Sequence, residues 1–301
     1  MKEFQPMKAP SRSVTEDELT GLAYPVLASP KLDGLRAVGY GGGIRSRTLR
    51  PFRNSLLSKL FEGSQCGGLD GELVSGFPFG PDVLPRTSSV ITAAEGGLDF
   101  MWHLFDDFSK PGLSFDARHK ALALRLHALQ KPLRDHCVVL EHVLCHDAVM
   151  VKQLEARWLE LGYEGLMLRS ILSPYKFGRA TFKEGSIYKF KRFFDTEAEV
   201  VEYEEGERNL NEQTRKPDGS SQRSTKKAGK VGAGILGTIV GRDLETGRQV
   251  RVSPGVLTHE QRVDEWRMRE LRVGRIFTYK SFASVDGTAP RFPTFKCWRA
   301  D

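Results

Sequence analysis

Lys31-Leu32-Asp33-Gly34-Leu35-Arg36 is the stretch on which the reading of this chain turns. The apolar residues 26–28 ahead of it read as a strand running into Lys31. Glycine directly after an acid marks a tight turn, which presents Lys31 at the end of that strand. Arg36, five residues on, can meet the same anion. Residues 37–40 and 43–47 then read as a strand pair around Gly41-Gly42, with Arg45 and Arg47 on one face.

Further along, Leu69-Asp70-Gly71-Glu72-Leu73 places two carboxylates two residues apart, on one face of a strand. Such a face can hold a metal ion or a ribose hydroxyl. Glu164 opens the otherwise apolar strand 165–169, where burial is costly without a cation. Tyr188-Lys189-Phe190-Lys191 puts two lysines on one strand face and aromatics on the other. Near the end stands Arg291-Phe292-Pro293.

The remaining pattern fills in around these strings. Residues 100–105 and 137–144 read as strands. Residues 51–62, 116–129 and 149–161 read as helices, the first with Pro51 in its opening turn. Thr15 with Glu18, and Thr258 with Gln261, have the form of capping boxes. After Phe194, short strands at 197–203, 237–242, 249–253 and 275–282 around one helix at 258–268 indicate a small β-barrel. Between them, residues 206–232 carry seven Lys or Arg against three acids and few apolar side chains, which reads as a mobile loop.

Composition bounds the answer. A chain of 301 residues predicts about two domains. A hydrophobic share of 40% excludes a wholly disordered chain. No apolar run approaches the ~18 residues of a membrane-spanning helix. The first twelve residues are polar and lack a signal-peptide core, so the expected place is the cytosol or nucleus. The net charge of +7 permits a polyanionic partner, and more than half of it falls within residues 206–232. The four cysteines form no Cys-x-x-Cys pair. His136-Cys137 and Cys145-His146 are weighed as zinc ligands, and buried thiols on a strand are the favoured reading.

In this order, the strings resemble the covalent nucleotidyltransferase superfamily of DNA ligases, RNA ligases and mRNA capping enzymes, and most of all the small ATP-dependent DNA ligases of bacteriophages and large DNA viruses. The likeness runs from about Pro25 to Trp298. Lys31 matches the nucleophile of motif I, Ser46-Arg47 motif Ia, and Asp70-Gly71-Glu72 motif III. Leu104-Phe105-Asp106 matches motif IIIa, Glu164-Gly165 motif IV, Lys189-Phe190-Lys191 motif V, and Arg291-Phe292-Pro293 motif VI.

The resemblance implies an α+β chain. An ATP-grasp-like nucleotidyltransferase domain with mixed and antiparallel sheets spans residues 1–194, and an OB-fold β-barrel domain spans residues 195–301. It implies sealing of 3′-OH/5′-phosphate nicks in duplex DNA by a monomer, through lysyl–AMP and a DNA-adenylate, with ATP and Mg2+ or Mn2+. Lys31, Lys189 and Lys191 would be catalytic. Ser29, Arg36, Arg47, Phe105 and Arg291 would bind the nucleotide, and Glu72 and Glu164 would hold ribose or metal. Arg179 would meet the nick 5′-phosphate. The loop at 206–232, with Arg215, Lys216, Arg223, Lys226, Lys227 and Lys230, would clamp the duplex. The cell would be bacterial or phage-infected, or the site nuclear. The alternatives are an RNA ligase and a GTP-dependent capping enzyme.

Overall fold

The computed structural model describes residues 4–63, 65–215, 217, 221–282 and 290–299. The chain divides into two compact units, Met1–Lys191 with Arg215–Ser220, and Arg192–Thr214 with Ser221–Asp301.

The first unit holds β1 (Val26–Pro30), β2 (Leu35–Gly39), β3 (Ile44–Ser46), β4 (Leu69–Val74), β5 (Met101–Asp107), β6 (Cys137–Val139), β7 (Val143–Cys145), β8 (Leu166–Ser170) and β9 (Ile187–Phe190). Its helices are α1 (Ser55–Leu60), α2 (Val83–Thr92), α3 (Phe115–Ala128) and α4 (Ala148–Glu160). Two sheets form, in the orders β7-β1-β8-β9 and β3-β2-β4-β5-β6, antiparallel except for the parallel pair β5–β6. Each sheet buries an apolar face. Val26, Ala28, Leu166 and Leu168 pack with Val151 and Trp158 of α4. Ala37, Leu69, Leu73, Trp102 and Leu104 pack with Leu57 of α1 and Leu122 of α3.

The segment from Lys31 to Gly34 carries the chain from one sheet to the other. β1 is wholly buried and pairs with β8 from Val26↔Ser170 to Pro30↔Leu166. The Lys31 amide then donates to the Gly165 carbonyl at 2.8 Å. At Gly34 the backbone passes against β4 so closely that a Cβ would lie 2.1 Å from the Leu73 carbonyl oxygen. Only glycine allows that approach. β2 then joins the second sheet with Arg36 opposite Glu72.

A buried ion network ties the layers together. The Asp106 carboxylate on β5 accepts from Arg118 of α3 at 2.7 Å and from Arg169 of β8 at 2.6 Å. All three residues are buried.

The pattern misplaced several elements. The helix expected from Pro51 starts at Ser55, because the Asn54 side chain accepts the Leu57 amide and fixes the first turn there. The single strand expected at 137–144 is two, β6 and β7, in different sheets and broken at Leu140-Glu141-His142. α2 was not anticipated, since its approach is rich in glycine and proline. Its Pro85 falls in the first turn, where a missing N–H leaves no bond unmade. Cys66, Cys137 and Cys145 are buried free thiols, and Cys297 is exposed.

The second unit holds β10 (Phe194–Asn209), β11 (Gln213–Arg215) except for Arg215, β12 (Ser221–Arg223), β13 (Lys230–Asp243), β14 (Gln249–Val252), β15 (Ile276–Phe282) and β16 (Arg291–Trp298), with helices α5 (His259–Arg267) and α6 (Arg269–Arg272). A five-stranded antiparallel sheet runs β14-β13-β10-β15-β16. A bridge between Ser253 and Thr294 links the two outer edges. The Thr258–Gln261 capping box starts α5 as expected.

Residues 206–232 are not the irregular loop their polarity suggested. β10 and β13 stay paired out to Asn209↔Lys230, and β11 and β12 form a hairpin beyond. Asn211 fastens its base, donating to the carbonyls of Ser224 and Lys226 at 3.0 and 2.9 Å. Backbone ladders need no apolar side chains, which is why composition misread this ribbon. Lys216 lies outside the described residues.

Replacing Asp106 with alanine leaves two guanidinium groups buried without their anion. The expected loss is about 3–5 kcal/mol of stability in the first unit. Native-state hydrogen exchange of the β5 amides measures it, and an unchanged exchange rate would contradict it.

Candidate active site

A cleft of about 490 Å3 opens in the first unit. Ser29 and Lys31 enter it from the end of β1, Arg36 from β2, Glu72 from β4 and Phe105 from β5. Lys189 of β9, Arg47 and Arg179 complete the set of expected residues that line it. Residues from six separate stretches of sequence thus meet in one place.

The Lys31 ammonium donates to Glu164 Oε2 at 2.5 Å, and Lys191 grips Glu164 Oε1. One carboxylate therefore bridges two lysines. Burial favours the neutral amine of Lys31, but Glu164, with Glu72 and Asp33, outweighs it and holds Lys31 above the usual lysine range. Lys191 goes the other way: burial and the Lys31 charge push it down to about 8 against the pull of Glu164. Glu164 itself is held below the usual carboxylate range, because the two lysines overcome its burial. Glu164 stands between Lys31 and Lys191 and keeps Lys31 charged.

The two carboxylates of β4 have different duties. Asp70 is fully buried and receives a bidentate pair of bonds from Arg36, both at 2.6 Å, and a third from the Tyr175 hydroxyl at 2.7 Å. It is spent on holding Arg36. Glu72 lines the cleft instead, and burial pushes it up to about 7 despite Arg36 and Lys31. The Phe105 ring lies 4.8 Å from the Arg36 guanidinium carbon and 5.6 Å from that of Arg169.

The segment before β1 forms part of the wall, which its irregular sequence did not disclose. Its carbonyls hold three cleft cations: Met7 takes Arg36 at 3.0 Å, Ala9 takes Arg179 at 2.9 Å, and Ser11 takes Lys189 at 2.6 Å. Gln5 and Lys8 line the cleft beside them. Arg169 and His142 also line it and were not singled out. A charged residue inside the apolar strand 165–169 was a visible sign for Arg169. His142 carried none. Burial, with the charges of Lys31 and Arg179, depresses Lys189.

Of the other expected residues, Arg291 opens β16 in the second unit. Arg215 and Arg223 sit on the β11–β12 hairpin, exposed, followed by exposed Lys226 and Lys227. Lys230 pairs with Glu207 at 2.7 Å. No helix among the described residues is long and apolar enough to cross a membrane.

Glu164→Gln removes the charge that keeps Lys31 protonated. Labelling of Lys31 by an amine-reactive reagent at pH 8 should rise by about threefold to tenfold, read by peptide mass spectrometry. Equal labelling of wild type and variant would show that Glu164 does not set this pKa.

No protein-family model matches the chain, and no curated protein matches it by sequence. Solved structures do. The chain is similar to the Chlorella virus DNA ligase-adenylate at 26% identity, over 98% of this chain and 99% of that one, with a TM-score of 0.52. It is similar to a structure from an analysis of Lig E DNA ligases as minimal scaffolds for DNA binding, at 20% identity over 99% and 100% of the chains, with a TM-score of 0.66. A structure described as Pmar-Lig_PreS3 aligns at 22% identity with a TM-score of 0.70, over 98% of this chain and 68% of that one. Over nearly its whole length, then, the chain is built like the small ATP-dependent DNA ligases, with a nucleotidyltransferase domain followed by an OB-fold domain.

Proposed function

We propose that this protein is an ATP-dependent DNA ligase that seals 3′-OH/5′-phosphate nicks in duplex DNA, acting as a monomer. The observation that carries the reading is Lys31: a lysine at the end of β1, facing a cleft with Arg36, Glu72, Phe105 and Lys189, and tied through Glu164 to Lys191.

In the first step the Lys31 amine attacks the α-phosphorus of ATP. A P–N bond forms, the bond to pyrophosphate breaks, and the lysine proton leaves. Lys189 and Lys191 neutralise charge that builds on the α-phosphate oxygens. The ion pair with Glu164 must loosen first, since a protonated Lys31 has no lone pair to give. Phe105 stacks on adenine, with Ser29 at the base edge. Arg36, held rigid by Asp70, meets sugar or phosphate, and its fork suits those oxygens better than a lysine would. Arg47 and Arg291 serve as further phosphate contacts. AMP then passes to the 5′-phosphate of the nick, which Arg179 holds. The 3′-hydroxyl attacks that phosphorus and releases AMP.

Glu72 and Glu164 offer the hard oxygens that suit Mg2+ or Mn2+. Mg2+ keeps several of its waters, so two carboxylates are enough to hold it. Bound there, the ion would supply charge neutralisation at the α-phosphate. A cation at Glu164 would also weaken the hold of that carboxylate on Lys31.

Incubation with labelled ATP or GTP, then with nicked duplex, tests the reading. Wild type should form lysyl–AMP from ATP and seal the nick, and Lys31→Ala should do neither. Labelling from GTP alone, or joining of single-stranded RNA alone, would replace this function with capping or RNA ligation.

The ribbon of β10 and β13 with the β11–β12 hairpin is the part we assign to gripping the duplex. Its exposed Arg215, Arg223, Lys226 and Lys227, with Lys216, can neutralise backbone phosphates. Deleting residues 210–227 should weaken nicked-DNA binding by about tenfold or more at moderate salt and leave lysyl–AMP formation intact. Unchanged affinity would assign the grip elsewhere.

A further inference from the structure

Tyr175 is buried, and its hydroxyl closes a ring of hydrogen bonds that runs through Arg36. The Met7 amide donates to that hydroxyl at 3.0 Å, and the hydroxyl donates to Asp70 Oδ2 at 2.7 Å. Asp70 also accepts from Nε and Nη2 of Arg36, and the same Nη2 donates to the Met7 carbonyl at 3.0 Å. The ring therefore begins and ends on the backbone of Met7. Its direction is fixed. An amide only donates and a hydroxyl has one proton, so that proton goes to the carboxylate. Burial and the Asp70 charge hold the phenol well above its usual range, which keeps the proton in place. The aromatic ring is set as well, with Phe108 and Phe177 at 5.3 and 5.5 Å and the Tyr175 amide on the Pro111 carbonyl at 2.8 Å.

A guanidinium has five N–H donors. The Nε proton and both Nη2 protons of Arg36 are used inside this ring. The pair on Nη1 is left for a ligand, and Arg36 lines the cleft with 16% of its side-chain surface exposed. Charge alone would keep Arg36 on Asp70, but it would not fix the angle of the pair. The last torsion of an aspartate is broad, so a carboxylate and the guanidinium bound to it can swing together. A third bond, from a hydroxyl anchored elsewhere, removes that freedom. Resting on the adenylation reading above, we propose that Tyr175 is a positioning residue for nucleotide binding: its hydroxyl fixes the Asp70 carboxylate, and Asp70 in turn aims the Nη1 donors of Arg36 at the nucleotide. Tyr175 acts through Arg36. Without the hydroxyl the ion pair survives, but the contact that Arg36 offers the nucleotide loses its fixed geometry.

The test measures single-turnover lysyl–AMP formation over a range of ATP concentrations, for the full chain as wild type, Tyr175→Phe, Arg36→Gln and the double variant. Tyr175→Phe keeps the aromatic ring and removes only the hydroxyl. It should raise the apparent KM for ATP by about threefold to tenfold and leave the maximal rate within about twofold. In the Arg36→Gln background the same change should move the apparent KM by less than about twofold, because no guanidinium remains to be aimed. A wild-type KM in Tyr175→Phe overturns the proposal. An equal rise in both backgrounds overturns it too, since the hydroxyl would then act on something other than Arg36. A Tyr175→Phe protein that does not fold also overturns it, because the hydroxyl would then serve the fold rather than the nucleotide. A wild type that forms no lysyl–AMP overturns the ligase reading, and this proposal with it.

Discussion

The Asp106 carboxylate is the joint on which the first unit depends. It is fully buried between two arginines, one from α3 and one from β8, while itself sitting on β5. A buried charge is costly unless it is paired and hydrogen-bonded. Here the pairing fixes α3 and one strand of the first sheet against a strand of the second. The residue before Asp106 is Phe105, and the residues that enter the cleft come from both sheets. The anchor that secures the layers therefore also sets where the ring stands beneath Arg36.

The same rule, that enclosed charge must find a partner, organises the cleft. Asp70 is consumed in orienting Arg36, with Tyr175 as a second donor. Glu164 is shared by Lys31 and Lys191. Glu72 is pushed up to about 7 by its burial. The site is thus charge-paired internally. The backbone carbonyls of Met7, Ala9 and Ser11 do similar work for Arg36, Arg179 and Lys189 without adding charge.

Much of the site was legible because chemistry restricts residue type. A lysine before Asp-Gly, acids in apolar strands and paired lysines on a strand are each recognisable alone, and their order along the chain is distinctive. Other parts left no trace. Gln5 and Lys8 lie in an irregular segment whose place is set by backbone bonds to Gly178 and Ala180, far along the chain. His142 looked like one more residue of a continuous strand, because the break between β6 and β7 reflects two different pairing partners rather than local pattern. Residues 206–232 looked unstructured by composition, yet ladder bonds between β10 and β13 are indifferent to polarity.

The sequence by itself determined the candidate site residues, their order, and the α+β two-part plan, since local turns, strand alternation and residue chemistry are encoded locally. Only the tertiary structure decided which carboxylate faces the cleft, that Glu164 keeps Lys31 charged, and that the segment before β1 forms part of the wall. Those outcomes depend on burial and on distances between groups remote in the chain. Electrostatic energy depends on separation and enclosure, and neither is written in the order of residues.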